Sequence, residues 1–182
     1  MRQKARLVTK RFSLGFCLTY KLKKLEAEIN ENQSGFRQGK GTRKGIFNLR
    51  MIIQRYLEVP KPVFICFIDY EKVFDRVYHD RIMQCLDHVD MDCNDKWVIE
   101  KLYWQQTSTV RFSDEYSEFF PMKRGMWQGC VLLPKLVNLY TKKIFSECDE
   151  LLGCIVDVEN FNNLRCADDT ALLAGSESAL QV

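Results

Sequence analysis

The ligand spacing of a structural zinc site is absent from this sequence. It has eight cysteines but no C-x-x-C pair, and only two histidines, His79 and His88. The cysteines stand at positions 17, 66, 85, 93, 130, 148, 154 and 166, several of them inside apolar runs. That placement suits free thiols acting as small hydrophobes in a reducing compartment. Long apolar runs are also missing. Phe12 to Leu18 is too short and too polar for a signal-peptide core, and nothing approaches membrane-spanning length. The expectation is an intracellular protein, in cytoplasm or nucleus, neither secreted nor in a membrane, so the sequon Asn32-Gln33-Ser34 carries little weight. Repeats and low-complexity tracts are absent. Acidic residues are absent from Met1 to Leu25, a stretch that holds eight basic ones (Arg2, Lys4, Arg6, Lys10, Arg11, Lys21, Lys23 and Lys24). Such an arm attracts a phosphate backbone through counterion release, although a solvated basic terminus fits equally well.

What remains is an ordinary globular, soluble composition. The 182 residues are 46% hydrophobic and 28% charged with a net charge of +3, enough for one medium domain or two small lobes. A polar, Gly-rich loop runs from Asn32 to Thr42, with Thr42 placed to cap the next helix. Ile46, Phe47, Leu49, Ile52, Ile53, Tyr56 and Leu57 follow at helical spacing, and Val59-Pro60-Lys61-Pro62 ends the helix. Val63 to Ile68 is a short apolar run that suits a strand buried on both faces. Two helices are predicted over 80–89 and 95–104, and a hairpin over 107–112 and 116–122. The Tyr103-Trp104 pair reads as packing between that helix and hairpin. A helix with Pro134 in its first turn is predicted over 134–152, then β segments over 154–158 and 163–174. Helix and strand remain open for the shorter runs. The order favours an α+β fold with a mainly antiparallel sheet.

Three carboxylates stand out. Asp69 directly follows the apolar strand, at a sheet rim that ligands can reach. Asp168-Asp169 interrupts an apolar β segment, as at a hairpin tip. If the two strands are neighbours the three converge, and their mutual repulsion is relieved by cations; two Mg²⁺ ions about 3.5–4 Å apart suit phosphoryl transfer. An Asp-Asp pair taken alone is more often a polar turn, and spacing does not prove that the two sites meet.

Four segments in order carry a resemblance. Phe67-Ile68-Asp69-Tyr70-Glu71-Lys72-Val73-Phe74-Asp75-Arg76-Val77 resembles the first palm motif of non-LTR (LINE-type) reverse transcriptases. The run from Gly35 to Thr42, GFRQGKGT, resembles their fingers motif, and that from Arg124 to Pro134, RGMWQGCVLLP, their second palm motif. Arg165-Cys166-Ala167-Asp168-Asp169 stands where the family carries its Asp-Asp motif. The resemblance covers roughly residues 30 to 175. It implies a right-hand polymerase palm, an antiparallel sheet with helices on one face, plus partial fingers and no thumb. Residues 1–61 are expected to form the basic arm and fingers, 62–99 palm, 100–127 a fingers-proximal hairpin and 128–182 palm. The implied reaction adds deoxynucleotides to a DNA primer 3′-hydroxyl on an RNA template, with Mg²⁺ or Mn²⁺ as cofactor. Asp69, Asp168 and Asp169 are the implied catalytic, metal-binding triad, Asp69 and Asp168 foremost. Arg37 and Lys40 are expected to face the triphosphate, Val73, Gln128 and Gly129 to lie beside the nucleotide and template, and Phe74 to exclude a ribose 2′-hydroxyl.

The sequence departs from the family pattern at four places. Val73 replaces a small alanine, Trp127 a common arginine, Leu133 a serine and Cys166 a tyrosine. None touches the triad, but together they resemble drift. With the chain ending at Val182, the expectation is a truncated, partly degenerate element, weak or inactive as an enzyme. The alternative is a catalytically silent nucleic-acid-binding remnant.

Overall fold

Backbone pairing within the chain explains most of where its elements begin and end. The computed structural model describes residues 6–9, 25–89, 91–104, 106–126 and 132–181. The long predicted helix is present as α1 (Thr42–Glu58), ending before Pro60. Gly41 stands at its cap position and no side chain caps it. The expected Thr42 cap is therefore corrected: the Thr42 hydroxyl lies 3.6 Å from the Cys166 sulfur instead.

Three antiparallel units follow. The first is a sheet of β2 (Phe64–Asp69), β9 (Asp169–Ala174) and β8 (Asn163–Cys166), in the order β2-β9-β8. The second has β3 (Thr107–Phe112) at its centre, bonded to β1 (Arg6–Thr9), β4 (Glu115–Tyr116) and β5 (Phe120–Pro121). The third is a hairpin of β6 (Cys154–Val156) and β7 (Glu159–Phe161). β2 is not buried on both faces as expected: Phe67 is 71% exposed and Cys66 is exposed too. Among the described residues β2 is the sheet edge, and an edge strand lacks the neighbours that would cover it.

The helical elements between are α2 (Val73–Arg76), which the sequence reading did not predict, α3 (His79–Asp87) and α4 (Cys93–Trp104), both close to their predicted spans, and α5 (Leu133–Ile144), which is not. α5 keeps Pro134 in its first turn but stops well short of 152, with only a 3-10 turn at Cys148–Glu150 beyond it. The Ser146 hydroxyl donates to the Lys143 carbonyl at 2.8 Å, a local bond that competes with helix continuation. Side chains also divide the second arm of the predicted hairpin into β4 and β5. The Thr109 hydroxyl donates to the Ser117 carbonyl at 2.6 Å, and the Val110 N–H donates to the Ser117 hydroxyl at 2.9 Å.

Two hydrophobic clusters hold these parts. The larger joins α3, α4 and α5 through Ile82, Leu86, Ile99, Leu102 and Leu136, with Val73 and Val77 at one side. Tyr103 is buried in it, its ring 5.7 Å from that of His79 on α3, while the side chain of Trp104 lies outside the described residues. The smaller joins Ile52 of α1 to Leu164 and Leu173 of the carboxylate-bearing sheet. Leu164 and its neighbour Arg165 point to opposite faces by strand alternation. Arg165, 2% exposed, lies over the Phe145 ring at 5.3 Å. α1 thus packs on the face of the sheet that carries Leu164 and Leu173, and Phe145, just past α5, meets Arg165 on the opposite face.

Candidate functional site

The sheet register brings two of the three expected carboxylates together. β2 and β9 pair so that Asp69 stands directly opposite Asp169, and β8 pairs with β9 so that Cys166 is opposite Asp169 on its other side. Opposed residues share a face, so Asp69, Asp169 and Cys166 project together with Phe67, Ala171 and Leu164. Asp69 and Asp169 are exposed, whereas Asp168 is partly buried in the two-residue turn between β8 and β9. Asp169, not Asp168, is therefore the direct cross-strand partner of Asp69. Two carboxylates this close repel each other, and nothing in the pairing relieves that repulsion. Among the described residues no three Asp, Glu, His or Cys side chains form a ready-made metal cage. An all-oxygen pair still suits a hard cation such as Mg²⁺, which is held by one or two carboxylates together with water and substrate phosphates.

The turn itself is strained. Ala167 has φ +61°, while Asp168 does not have positive φ, the pattern of a type II′ turn that usually places glycine first. Phe36 (φ +55°) and Lys72 (φ +56°) are also left-handed, so three of the five such non-glycine residues among the described residues lie within the motif segments. Strain concentrated at one place is the pattern of a functional site.

The Gly-rich loop is laid against this turn. The Ser34 N–H donates to the Arg165 carbonyl at 2.7 Å, and the Arg165 N–H donates to the Asn32 carbonyl at 2.8 Å. A Cβ on Gly35 would sit 2.1 Å from the Ala167 nitrogen, so no larger residue fits. The Asn138 amide of α5 donates to the Gly35 carbonyl at 2.9 Å, and the Lys135 ammonium to the Phe36 carbonyl at 2.8 Å. Glu26 binds Lys135 as well, and burial lowers the Lys135 pKa. Arg37 is held by the Glu26 carboxylate at 2.9 Å and the Asn30 carbonyl at 2.7 Å. Lys40 pairs with the exposed Glu31, whose carboxyl is held below its usual range by the Lys40 hydrogen bond and charge. Both expected triphosphate-facing cations thus have carboxylate partners here.

Phe74 follows the left-handed Lys72 and stands partly buried, its ring 6.3 Å from and edge-on to Phe36. Val73 is buried in the larger cluster, so its added methyls meet the core. The segment ahead of the second palm motif is stitched to this one. The Met126 N–H donates to the Phe74 carbonyl at 2.9 Å and the Gly125 N–H to the Val77 carbonyl at 2.9 Å, while the His79 ring nitrogen lies 2.6 Å from the Gly125 carbonyl. Gly125 has φ +87°, and a Cβ there would be 3.2 Å from the Asp75 carbonyl oxygen. Gln128 and Gly129 lie outside the described residues, as do Trp127 and most of the basic arm.

Between α1 and the carboxylate end of the sheet is a mainly apolar cavity of about 350 Å³, lined by Thr42, Ile46, Leu49, Phe67, Asp69 and Asp169 among others. Sequence reasoning did not single out Gln33, which joins loop to turn, or Glu26, Lys135 and Asn138, which hold the loop against α5. Only Gly35 carried a signal, since glycine marks close backbone approach.

Comparison with known proteins agrees with the motif order. A family model described as reverse transcriptase (RNA-dependent DNA polymerase) matches residues 4–182. The chain is 24% identical over 153 residues to the retrovirus-related Pol polyprotein from type-1 retrotransposable element R2 of Nasonia vitripennis, covering 84% of this chain and 15% of that protein. It is 29% identical over 148 residues to a probable RNA-directed DNA polymerase from transposon BS of Drosophila melanogaster, covering 81% of this chain and 16% of that one. The chain therefore spans about one-sixth of the length of these relatives. With motifs, register and family match in agreement, the chain belongs to the reverse transcriptase (RNA-dependent DNA polymerase) family, of the non-LTR retrotransposon type, and has a palm-type α+β fold.

Proposed function

We propose that this chain is the part of an RNA-directed DNA polymerase that holds the reacting phosphate. The observation that carries this reading is the Asp69–Asp169 pairing, two repelling carboxylates fixed across a ladder at the mouth of a cavity. Asp69, Asp168 and Asp169 would hold Mg²⁺ or Mn²⁺, which when bound neutralises phosphate charge and activates the attacking oxygen. The substrates are an RNA template, a DNA primer and deoxynucleoside triphosphates. Phe74, braced edge-on by Phe36, crowds a ribose 2′-hydroxyl. Arg37 and Lys40 receive the triphosphate, which displaces Glu31, the exposed partner of Lys40. Gln128 and Gly129 face the nucleotide and template, and Val73 backs Phe74 from the core. In this reading residues 62–99 and 128–182 make up the palm, and residues 1–61 with 100–127 the fingers.

Mn²⁺ binding followed by electron paramagnetic resonance tests it. The wild-type chain is expected to bind Mn²⁺, and Asp69→Asn to weaken that binding at least ten-fold while keeping the fold. Equal binding by the two proteins would remove the carboxylate pair from the account.

A further inference from the structure

We propose that Gln33 is a positioning residue for the carboxylate turn, holding Ala167 in its strained conformation so that Asp168 and Asp169 are presented to a cation. This rests on reading those two aspartates as cation-holding. Gln33 is 1% exposed, and a single atom of it does two jobs. Its side-chain oxygen accepts the Gly35 N–H at 2.8 Å and the Ala167 N–H at 3.0 Å, from a chain position 134 residues away. Both partners are backbone donors, so the atom facing them is the oxygen and not the amide nitrogen. The nitrogen is buried and has no partner among the described residues. Burying half an amide unsatisfied is unfavourable, so the side chain is held there for its oxygen.

The two accepted N–H groups explain the arrangement around them. Ala167 is the one residue of the turn with positive φ, and its N–H faces the Gly-rich loop. A bridge between Gln33 and Arg165, with the bonds flanking it, aligns the loop backbone parallel to β8. Gly35, with no Cβ, allows that backbone to close on Ala167. The loop carrying Arg37 and the turn carrying Asp168 are thereby joined through one oxygen, so that ordering of one orders the other. Conformation at Ala167 sets where the next two carboxylates point. An acceptor fixed at Ala167 therefore acts on cation binding without touching the cation.

The test uses the full chain with Gln33→Met, which matches the side chain in length and removes the acceptor, and Gln33→Glu, which keeps it. Amide hydrogen exchange is read at Ala167, and Mn²⁺ affinity is measured on the same samples. In wild type the Ala167 amide is expected to exchange at least ten-fold more slowly than the Asp168 amide beside it. Gln33→Met is expected to lose that protection and to bind Mn²⁺ about ten-fold more weakly, while Gln33→Glu retains both. An unprotected Ala167 amide in wild type overturns the proposal, whether or not any variant folds. Unchanged Mn²⁺ affinity in a folded Gln33→Met protein also overturns it. Failure of the wild type to bind Mn²⁺ at all sinks the cation reading and this proposal with it, and protection at Ala167 then marks Gln33 as a structural tie alone.

Discussion

Asp69 and Asp169 oppose each other across a ladder, and like charges so placed destabilise a sheet by roughly 0.2–1 kcal/mol relative to neutral pairs. Neutralising either one should therefore leave the cation-free protein as stable or slightly more stable. Urea unfolding of Asp169→Asn without divalent cation is expected to show a gain within that range, and a loss above about 1 kcal/mol would mean that the carboxylate has a structural partner. Gly35→Ala should behave oppositely. Its Cβ would meet the Ala167 nitrogen at 2.1 Å, so the loop or the turn must move. Overpacking of this kind typically costs about 1–3 kcal/mol, readable in the same unfolding experiment. At this scale the sequence was informative where chemistry demanded a rare residue pattern. Asp69 and the Asp168-Asp169 pair announced themselves, and strand register then selected Asp169 as the partner of Asp69. Gln33 was not legible, because its role depends on a fold that brings residue 33 beside residue 167.

The elements were legible wherever periodicity ran uninterrupted. α1 was predicted from seven apolar positions and ended by Pro60, and the carboxylate hairpin from apolar strands around two acids. Errors arose where side-chain hydroxyls replaced backbone bonds, at Ser146 beyond α5 and at Ser117 between β4 and β5. Burial of β2 was overestimated because a continuous apolar run does not reveal an edge. α1 and the β6–β7 hairpin, distant in sequence, are joined by the Tyr56 hydroxyl, which accepts the Ile155 N–H at 2.8 Å. Tyr56→Phe should cost about 0.5–1.5 kcal/mol of stability, measured by urea unfolding. A change below about 0.2 kcal/mol would show that water replaces the hydroxyl there.

Two clusters dominate the interior of the described molecule, one centred on α3, α4 and α5 and one between α1 and the carboxylate-bearing sheet. Each buries a cysteine: Cys85 in the first and Cys154 in the second, and burial pushes both thiols above their usual pKa. Raised thiol pKa means less thiolate at any given pH, so alkylation at neutral pH should be slow at both. The exposed Cys66 and Cys93 should react before either buried thiol. Peptide mapping after brief alkylation is expected to show this order, and early labelling of Cys85 would contradict the packing of the larger cluster. That same scaffold fixes the two carboxylates on one face, and their chemistry is the claim on which the account depends. Primer extension on an RNA template, with Mg²⁺ or Mn²⁺, tests it most directly. Slow, template-dependent addition of deoxynucleotides is expected, requiring the cation and disappearing in Asp69→Asn and in Asp168→Asn, Asp169→Asn. Folded wild-type protein that binds primer and template yet adds nothing would contradict it, as would extension that survives loss of the carboxylates.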